Sequence, residues 1–171
     1  MPFSQTLLPE FDEEMKNTRK LLECVPDGQF SFQPHPKSMT VARLASHVAE
    51  LPSWAIMTLD QEVLDIQPPF KPTIAGSRAE LLEIFDKGSA GARERIAAAS
   101  DEHWAKIWTF KYEGKTIMSM PRSAVIRSTV LNHLIHHRAQ LGVSLRLLEV
   151  KIPGMYGPSA DEQKFWEAAA S

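Results

Sequence analysis

The sequence predicts an all-α fold, a four-helix bundle with a short extended or hairpin insert between helices 3 and 4. Three observations lead to this prediction. Four long segments place apolar residues at helical spacing, each is bounded by Pro, Gly or capping residues, and only one short stretch changes to strand-like spacing. The length of 171 residues fits one domain over residues 1–171.

The four helices are predicted from their apolar periodicity and their end signals. The first helix covers about Gln5 to Cys24 and stops at Pro26-Asp27-Gly28. The second begins after Thr40, and Pro52 is expected to kink or interrupt it. The third begins at Ser77, which opens a capping box with Glu80, and the fourth runs from Pro121 to about Val150. Asp161 is suited to cap a short last helix.

The insert between helices 3 and 4 covers residues 106–120. Ile107, Trp108, Phe110 and Tyr112 precede Glu113-Gly114, and Ile117 follows, which is typical of a short hairpin. An extended arm with this many aromatic side chains would expose apolar surface, which gives slight support for a homodimer.

Composition narrows the function classes. Lys+Arg 19 against Asp+Glu 21 leaves a net charge of -2, which argues against nucleic-acid binding. The single cysteine, Cys24, excludes an internal disulfide and a cysteine-based zinc site, so we expect a reducing, cytoplasmic setting. We expect no membrane contact, since no stretch approaches the roughly 20 apolar residues of a span, and no signal peptide.

The histidines carry the most specific chemical signal. His133 and His137 lie four residues apart, so on a helix they stand about 40° apart around the axis, on the same side as Ile126, Val130 and Leu141. His47 lies on the apolar face of the second helix with Leu44 and Leu51. Three imidazoles from facing helices would leave one coordination position of a divalent ion open, as catalytic sites do.

Other interpretations remain open at this point. Each of these histidines can instead be a hydrogen-bonded core residue that binds no metal. His136, about 100° away from His137, is expected on the flank of the helix and replaces a ligand only if the helix twists. His35 and His103 are expected in solvated loops. A zinc metalloprotease is excluded because Leu134, not Glu, follows His133.

Two separated motifs resemble the DinB/YfiT-like superfamily. They are Leu44-Ala45-Ser46-His47-Val48-Ala49-Glu50-Leu51, with Trp54 shortly after, and Asn132-His133-x-x-His136-His137-Arg138-x-Gln140-Leu141; the ending Tyr156-Gly157-Pro158-Ser159-Ala160-Asp161 is also similar. The resemblance implies an up-down-down-up four-helix bundle, often a homodimer. It also implies one divalent ion, commonly zinc or nickel, held by His47, His133 and His137. Characterised members include thiol S-transferases and a thiol-dependent isomerase.

Two functions follow from this. The first is a metal-dependent enzyme that activates water or a low-molecular-weight thiol for S-transfer to, or hydrolysis of, a small molecule. Trp54, Trp108 and Tyr156 are then candidates to contact substrate, Glu50 is a candidate general base or partner of His47, and Gln140 is a candidate to orient a ligand. The second is a non-catalytic metal-binding or stress-response protein. A fourth protein ligand on the metal would favour the second.

Overall fold

The computed structural model describes residues 1–162 of the chain. Its helices are α1 (Phe3–Leu22), α2 (Val41–Asp60), α3 (Arg78–Ala98), α4 (Asp101–Ala105), α5 (Arg122–Val125) and α6 (His133–Leu147). A π-helical segment, Ile126–Asn132, joins α5 to α6. The three together form one continuous helical element, here called the histidine rod (residues 122–147).

The core lies between α1, α2, α3 and the histidine rod. α2 packs against both α3 and α6, and α1 packs against the same two elements from the other side. The largest fully buried side chains come from all four: Phe11, Leu51, Phe85, Ile96, Ile126, Leu131, Leu134 and Leu141. These include positions that the apolar periodicity predicts for the core, among them Ile126 and Leu141.

A three-stranded sheet accompanies the helices, so the fold is helix-rich but not purely all-α. Its strands are β1 (Val63–Ile66), β2 (Ile107–Tyr112) and β3 (Lys115–Pro121), in the order β1-β2-β3. The predicted hairpin is confirmed as β2 and β3, which pair antiparallel. Both turn residues have positive φ, 49° at Glu113 and 75° at Gly114, as a tight two-residue hairpin turn requires.

The prediction of no further strand was wrong, because β1 pairs parallel with β2. β1 has four residues, and its partner residues, from Thr109 onward, come more than forty positions later in the chain. A strand this short is specified by its partner and not by a local pattern, since β-propensity depends strongly on the neighbouring strands.

The predicted helix starts are confirmed at their caps. The Thr40 hydroxyl accepts a hydrogen bond from the Arg43 amide at 3.3 Å, and the Ser77 hydroxyl accepts one from the Glu80 amide at 3.2 Å. The Glu80 carboxylate accepts from the amide of Gly76, one residue before the expected partner, at 2.7 Å. Both caps satisfy amides that the first helical turn leaves without a partner.

Of the two effects expected of Pro52, a kink or an interruption, the interruption does not occur, since α2 continues from Val41 to Asp60. The reason lies in its packing against α3. A Cβ atom at Gly88 would lie 3.3 Å from the Ser53 amide nitrogen and 3.7 Å from Pro52, so the glycine lets the two helices approach closely at this point. Burial against α3 thus offsets the hydrogen bond that the proline cannot make.

The π-helical segment ends directly before His133 and has a local cause. The Ser128 hydroxyl donates to the Ala124 carbonyl at 2.8 Å, which competes with the backbone bond that an α-helix would use. The β-branched residues Ile126, Thr129 and Val130 also favour the α-helix less than straight side chains do. Segments of this kind are frequent at functional sites.

A buried ion pair fixes the far side of the histidine rod. Arg138 Nη2 lies 2.7 Å from Glu14 Oε2, and the two side chains are 3% and 8% exposed. Arg138 Nη1 donates to the Thr18 hydroxyl at 3.0 Å, and Arg138 Nη2 also donates to the Tyr156 hydroxyl at 2.6 Å. Tyr156 in turn donates to the Glu14 carboxylate at 2.8 Å. The pair therefore joins α1, α6 and the chain after α6.

We predict that Arg138→Leu destabilises the fold by about 3–5 kcal/mol, because it leaves the Glu14 carboxylate buried without its cation. Urea unfolding measures this free energy. Arg146→Leu is the matched control on the same helix, since Arg146 forms an exposed pair with Asp161 at 2.6 Å and should cost at most about 1 kcal/mol. Equal losses in both variants would show that the buried pair has no special role.

Candidate metal centre

Three histidines from two elements converge at one point. His47 on α2 and His133 and His137 on α6 place one ring nitrogen each so that the three nitrogens lie within 4.8 Å of one another. His47 Nε2 lies 3.3 Å from His133 Nε2, and His133 Nε2 lies 2.9 Å from His137 Nε2. His47 is buried, and the other two are half-buried.

The other ring nitrogen of each histidine has its own acceptor. The Nδ1–H of His47 donates to Glu50 Oε1 at 2.7 Å, and that of His133 donates to the Thr129 carbonyl at 3.2 Å. The Nδ1–H of His137 donates to Gln140 Oε1 at 2.8 Å. A carboxylate, a carbonyl and an amide oxygen can only accept, so they place the ring hydrogen on Nδ1 and leave the lone pair on Nε2.

These hydrogen bonds decide what the cluster can hold. Three lone pairs directed at one point repel each other unless a positive charge lies between them. Two nitrogens bound to a tetrahedral zinc ion at 2.0–2.1 Å are about 3.4 Å apart. The observed separations of 2.9 Å and 3.3 Å are close to that value. The donor set therefore fits a divalent transition metal, and the three-histidine cluster can bind one.

The lowered pKa values of His133 and His137 favour the neutral imidazole that a metal ion needs as a ligand. Burial lowers the pKa of His137 to about 4, although its bond to Gln140 acts in the opposite direction. Burial also lowers the pKa of His133, and the neighbouring charge of His47 lowers it further. At neutral pH both rings are therefore uncharged and available as ligands.

The carboxylate that bonds to His47 is itself held in place. Glu50 Oε1 also lies 3.6 Å from Arg43 Nη1, and the side chains of Arg43 and Glu50 are 23% and 18% exposed. Arg43, His47 and Glu50 occupy neighbouring turns of α2. The carboxylate is therefore fixed between a cation and the imidazole, on the side of the ring away from the three converging nitrogens.

The structure separates the aromatic candidates. Trp54 lies beside the cluster, with its ring centroid 5.6 Å from His47 and 5.5 Å from His133. Trp108 is buried in the sheet and stacks on Phe110 at 6.4 Å. Tyr156 is exposed and bonds to Glu14 and Arg138, on the other side of the histidine rod. Only Trp54 contacts the histidines among these three.

The remaining histidines lie outside the cluster. His136 is exposed on the flank of α6, as its position on the helix predicts, and its ring centroid is 4.8 Å from His137. His35 is exposed in the loop before α2. His103 was expected in a loop, but it lies in α4 and its Nε2 bonds to the Leu59 carbonyl at 2.9 Å. Two neighbouring capping signals, Ser100 and Asp101, could have indicated that short helix.

A pocket of about 460 Å³ opens next to His137. We call it the His137 pocket. Its walls are the loop before α2, the start of α2 and the outer face of α6: Pro34, Lys37, Ser38, Met39, Leu44, His137, Gln140, Val143 and Ser144. The volume lies in the range of small-molecule sites.

The predicted cap at Asp161 and the predicted last helix lie at or beyond the end of the described residues. Asp161 does not act there as a cap: its carboxylate accepts from the Ile152 amide at 3.0 Å and pairs with Arg146. The short last helix that it was expected to begin lies outside the described residues. No helix within residues 1–162 is long and apolar enough to cross a membrane.

Glu50→Gln should weaken metal binding about tenfold, because it removes the charge that holds the hydrogen on His47 Nδ1. Competition against a chromophoric chelator measures the affinity. Asp60→Asn is the matched control, since Asp60 is the other carboxylate of α2 and pairs with Arg95 at 2.8 Å. An affinity that stays unchanged in Glu50→Gln would contradict a positioning role for the carboxylate.

Comparison with known proteins agrees with this fold. A sequence profile of the DinB superfamily matches residues 10–141. An uncharacterized protein from Bacillus subtilis (strain 168), YrdA, is 21% identical over 155 residues, which cover 91% of this chain and 89% of that protein.

Solved structures of DinB-like proteins have the same fold. One from Bacillus cereus ATCC 10987 superposes with a TM-score of 0.70 at 21% identity and covers 91% of this chain and 98% of its own. The Bacillus subtilis protein YjoA gives 0.66 at 15% identity, with coverages of 88% and 97%. A DinB family member from Exiguobacterium sibiricum 255-15 gives 0.61 at 19% identity, with coverages of 90% and 97%.

Proposed function

The chain belongs to the DinB superfamily, and from this premise we propose that it is a metal-dependent enzyme acting on a small molecule. One divalent transition metal, zinc or nickel, is held by His47, His133 and His137. The observation that carries the proposal is the convergence of three Nε2 lone pairs, each fixed by a hydrogen bond on the opposite side of its ring. Three imidazoles suit both metals.

The number of ligands supports catalysis over a purely structural ion. Within residues 1–162 the cluster contains three protein ligands and no fourth. Structural sites close all four positions of a tetrahedral ion, whereas catalytic sites keep one for water or substrate. A divalent ion supplies a nucleophile at neutral pH by lowering the pKa of a bound water or thiol, which suits hydrolysis or S-transfer.

The residues of the chain have distinct parts in this proposal. Glu50 and Gln140 act as positioning residues, since each holds the ring of one ligand through Nδ1. We do not assign Glu50 as a general base, because its Oε1 accepts the His47 hydrogen bond on the side of the ring away from the converging nitrogens and lies 3.6 Å from Arg43. Trp54 forms an apolar wall beside the ligands and limits access of water. Substrate enters from the His137 pocket.

A non-catalytic metal-binding protein, active in stress response, is the alternative. The observation that favours it is that the ligands come from two different helices, α2 and α6, so an ion there would also tie the helices together. The two functions differ in turnover and not in metal content.

The proposal also includes the setting of the protein. We propose a cytoplasmic enzyme with the helices in up-down-down-up order, a small-molecule substrate or low-molecular-weight thiol as its partner, and no nucleic-acid or membrane partner. A homodimer is favoured by exposed apolar side chains on the sheet, since Ile107 and Ile117 are 55% and 56% exposed.

The purified, untagged protein should contain about one equivalent of transition metal by elemental analysis, and His137→Ala should lose it, because two imidazoles bind far more weakly than three. His136→Ala is the matched control: it removes the adjacent exposed imidazole, which is not in the cluster, and should retain the metal. Protein that holds no metal and takes up neither added zinc nor added nickel would refute the proposal.

Turnover separates the enzyme from its alternative. The metal-loaded protein should accelerate thiol addition to small electrophiles or hydrolysis of small esters and amides. Chelation should abolish the rate, and added metal should restore it in the wild type but not in His137→Ala. Stoichiometric metal without turnover in either screen would favour the non-catalytic protein.

Light scattering coupled to size exclusion tests the dimer. We expect a species of twice the 19.2 kDa chain mass. Ile117→Lys, which places a charge on the exposed β3 side chain, should shift that species toward monomer if the sheet forms the interface. A wild-type protein that elutes only at the mass of one chain would exclude the dimer.

A further inference from the structure

The His137 pocket differs in its charge from the rest of the surface. Its two walls come from chain segments without a single carboxylate: residues 28–49, which include the loop before α2, and residues 114–148, which include α6. The protein as a whole carries more Asp and Glu than Lys and Arg, 21 against 19. An acid-free pocket beside a cation site is therefore not a consequence of overall composition.

Lys37 supplies the charge of this pocket. It is exposed at the pocket wall, and none of the salt bridges within residues 1–162 involves it. Glu50, the carboxylate that bonds to His47, lies 3.6 Å from Arg43, whose positive charge offsets its negative one. A divalent ion next to uncharged imidazoles would add to the positive potential, and clefts lined by one sign of charge attract ligands of the opposite sign.

The polar and apolar groups of the pocket are arranged around this cation. Ser38 and the Gln140 amide provide hydrogen-bonding groups, and Met39, Leu44 and Val143 provide apolar surface. His137, a metal ligand, lines the same pocket. The pocket therefore brings an exposed cation, Lys37, and one of the three candidate metal ligands, His137, onto the walls of one cavity.

We propose that the substrate, or the thiol that it reacts with, is a small carboxylate, and that Lys37 selects it by pairing with the carboxylate in the His137 pocket. The ligand has a metal-binding group at one end and a short apolar chain between the two. This inference rests on the proposed function, because it needs the metal on the three histidines.

The other large pocket does not fit the binding of a carboxylate next to the metal ligands. It measures about 470 Å³ and meets the His137 pocket at Val143, which lines both, with Leu21, Arg138, Arg146 and Tyr156 among its other lining residues. None of the three cluster histidines lines it. Its buried cation, Arg138, is already paired with Glu14 and bonded to Tyr156. Its other arginine, Arg146, pairs with Asp161, so among the described residues both arginines of that pocket already have a carboxylate partner.

The test uses Co²⁺-loaded protein and three short thiols that differ in charge: 3-mercaptopropionate, 2-mercaptoethanol and cysteamine. The thiolate-to-cobalt absorption band reports binding at the open metal position. We expect the anionic thiol to bind most tightly and cysteamine least tightly. Lys37→Ala should weaken 3-mercaptopropionate about two- to fivefold, the size of an exposed ion pair, and leave 2-mercaptoethanol unchanged. Lys37→Glu should weaken it further.

Lys115→Ala is the matched control, because it removes the same charge at the β2–β3 turn, which does not line the His137 pocket. It should change none of the three affinities. All variants should bind the same amount of cobalt. The preference for the anionic thiol should also shrink in about 0.5 M salt, since Lys37 is exposed and screened.

The outcomes separate the two levels of the argument. Protein that binds no cobalt overturns the proposed function and this inference with it. Cobalt that binds without response to any thiol overturns this inference and leaves hydrolysis as the reaction of the proposed function. Cobalt and thiols that bind normally, with equal affinities across the three charges or equal effects of Lys37→Ala and Lys115→Ala, overturn the carboxylate selectivity alone. Loss confined to the anionic thiol in Lys37→Ala supports it.

Discussion

The mutual repulsion of three imidazole lone pairs is the constraint on which the site depends. Each Nε2 is directed at its neighbours because an acceptor on the other side of the ring holds the hydrogen on Nδ1. Burial and packing of the helices bring these groups within 3.3 Å and 2.9 Å of one another against that repulsion. A cation between the nitrogens would remove the repulsion, so metal binding would stabilise the packing of α2 against α6.

Helical spacing predicted which histidines face the core, and the resemblance to the DinB/YfiT-like superfamily selected His47, His133 and His137 as one candidate ligand set. His133 and His137 share one face because they are four residues apart, and His47 shares its face with Leu44 and Leu51, which are both buried. The caps at Thr40 and Ser77 and the turn at Glu113-Gly114 also follow from local chemistry. These features need only a few neighbouring residues, so a single sequence carries enough information to predict them.

Features that depend on distant partners could not be predicted. Strand β1 exists because β2 lies beside it, and helix α2 passes through Pro52 because Gly88 admits close packing. Tyr156 was a candidate for substrate contact, yet its hydroxyl bonds to Glu14, which lies 142 positions earlier in the chain. The acceptors for Nδ1 are intermediate cases: Glu50 and Gln140 lie three residues from their histidines and were suspected, whereas the Thr129 carbonyl had no signal.

The separation of 86 positions between His47 and His133 in the chain has a thermodynamic consequence. An ion held by both would bind the folded chain only, because the unfolded chain does not keep positions this far apart together. With the proposed metal bound, the free energy of unfolding would rise with free metal concentration as RT ln(1 + [M]/Kd). Cells that starve the chain of metal would thereby shorten its lifetime as well as empty its site.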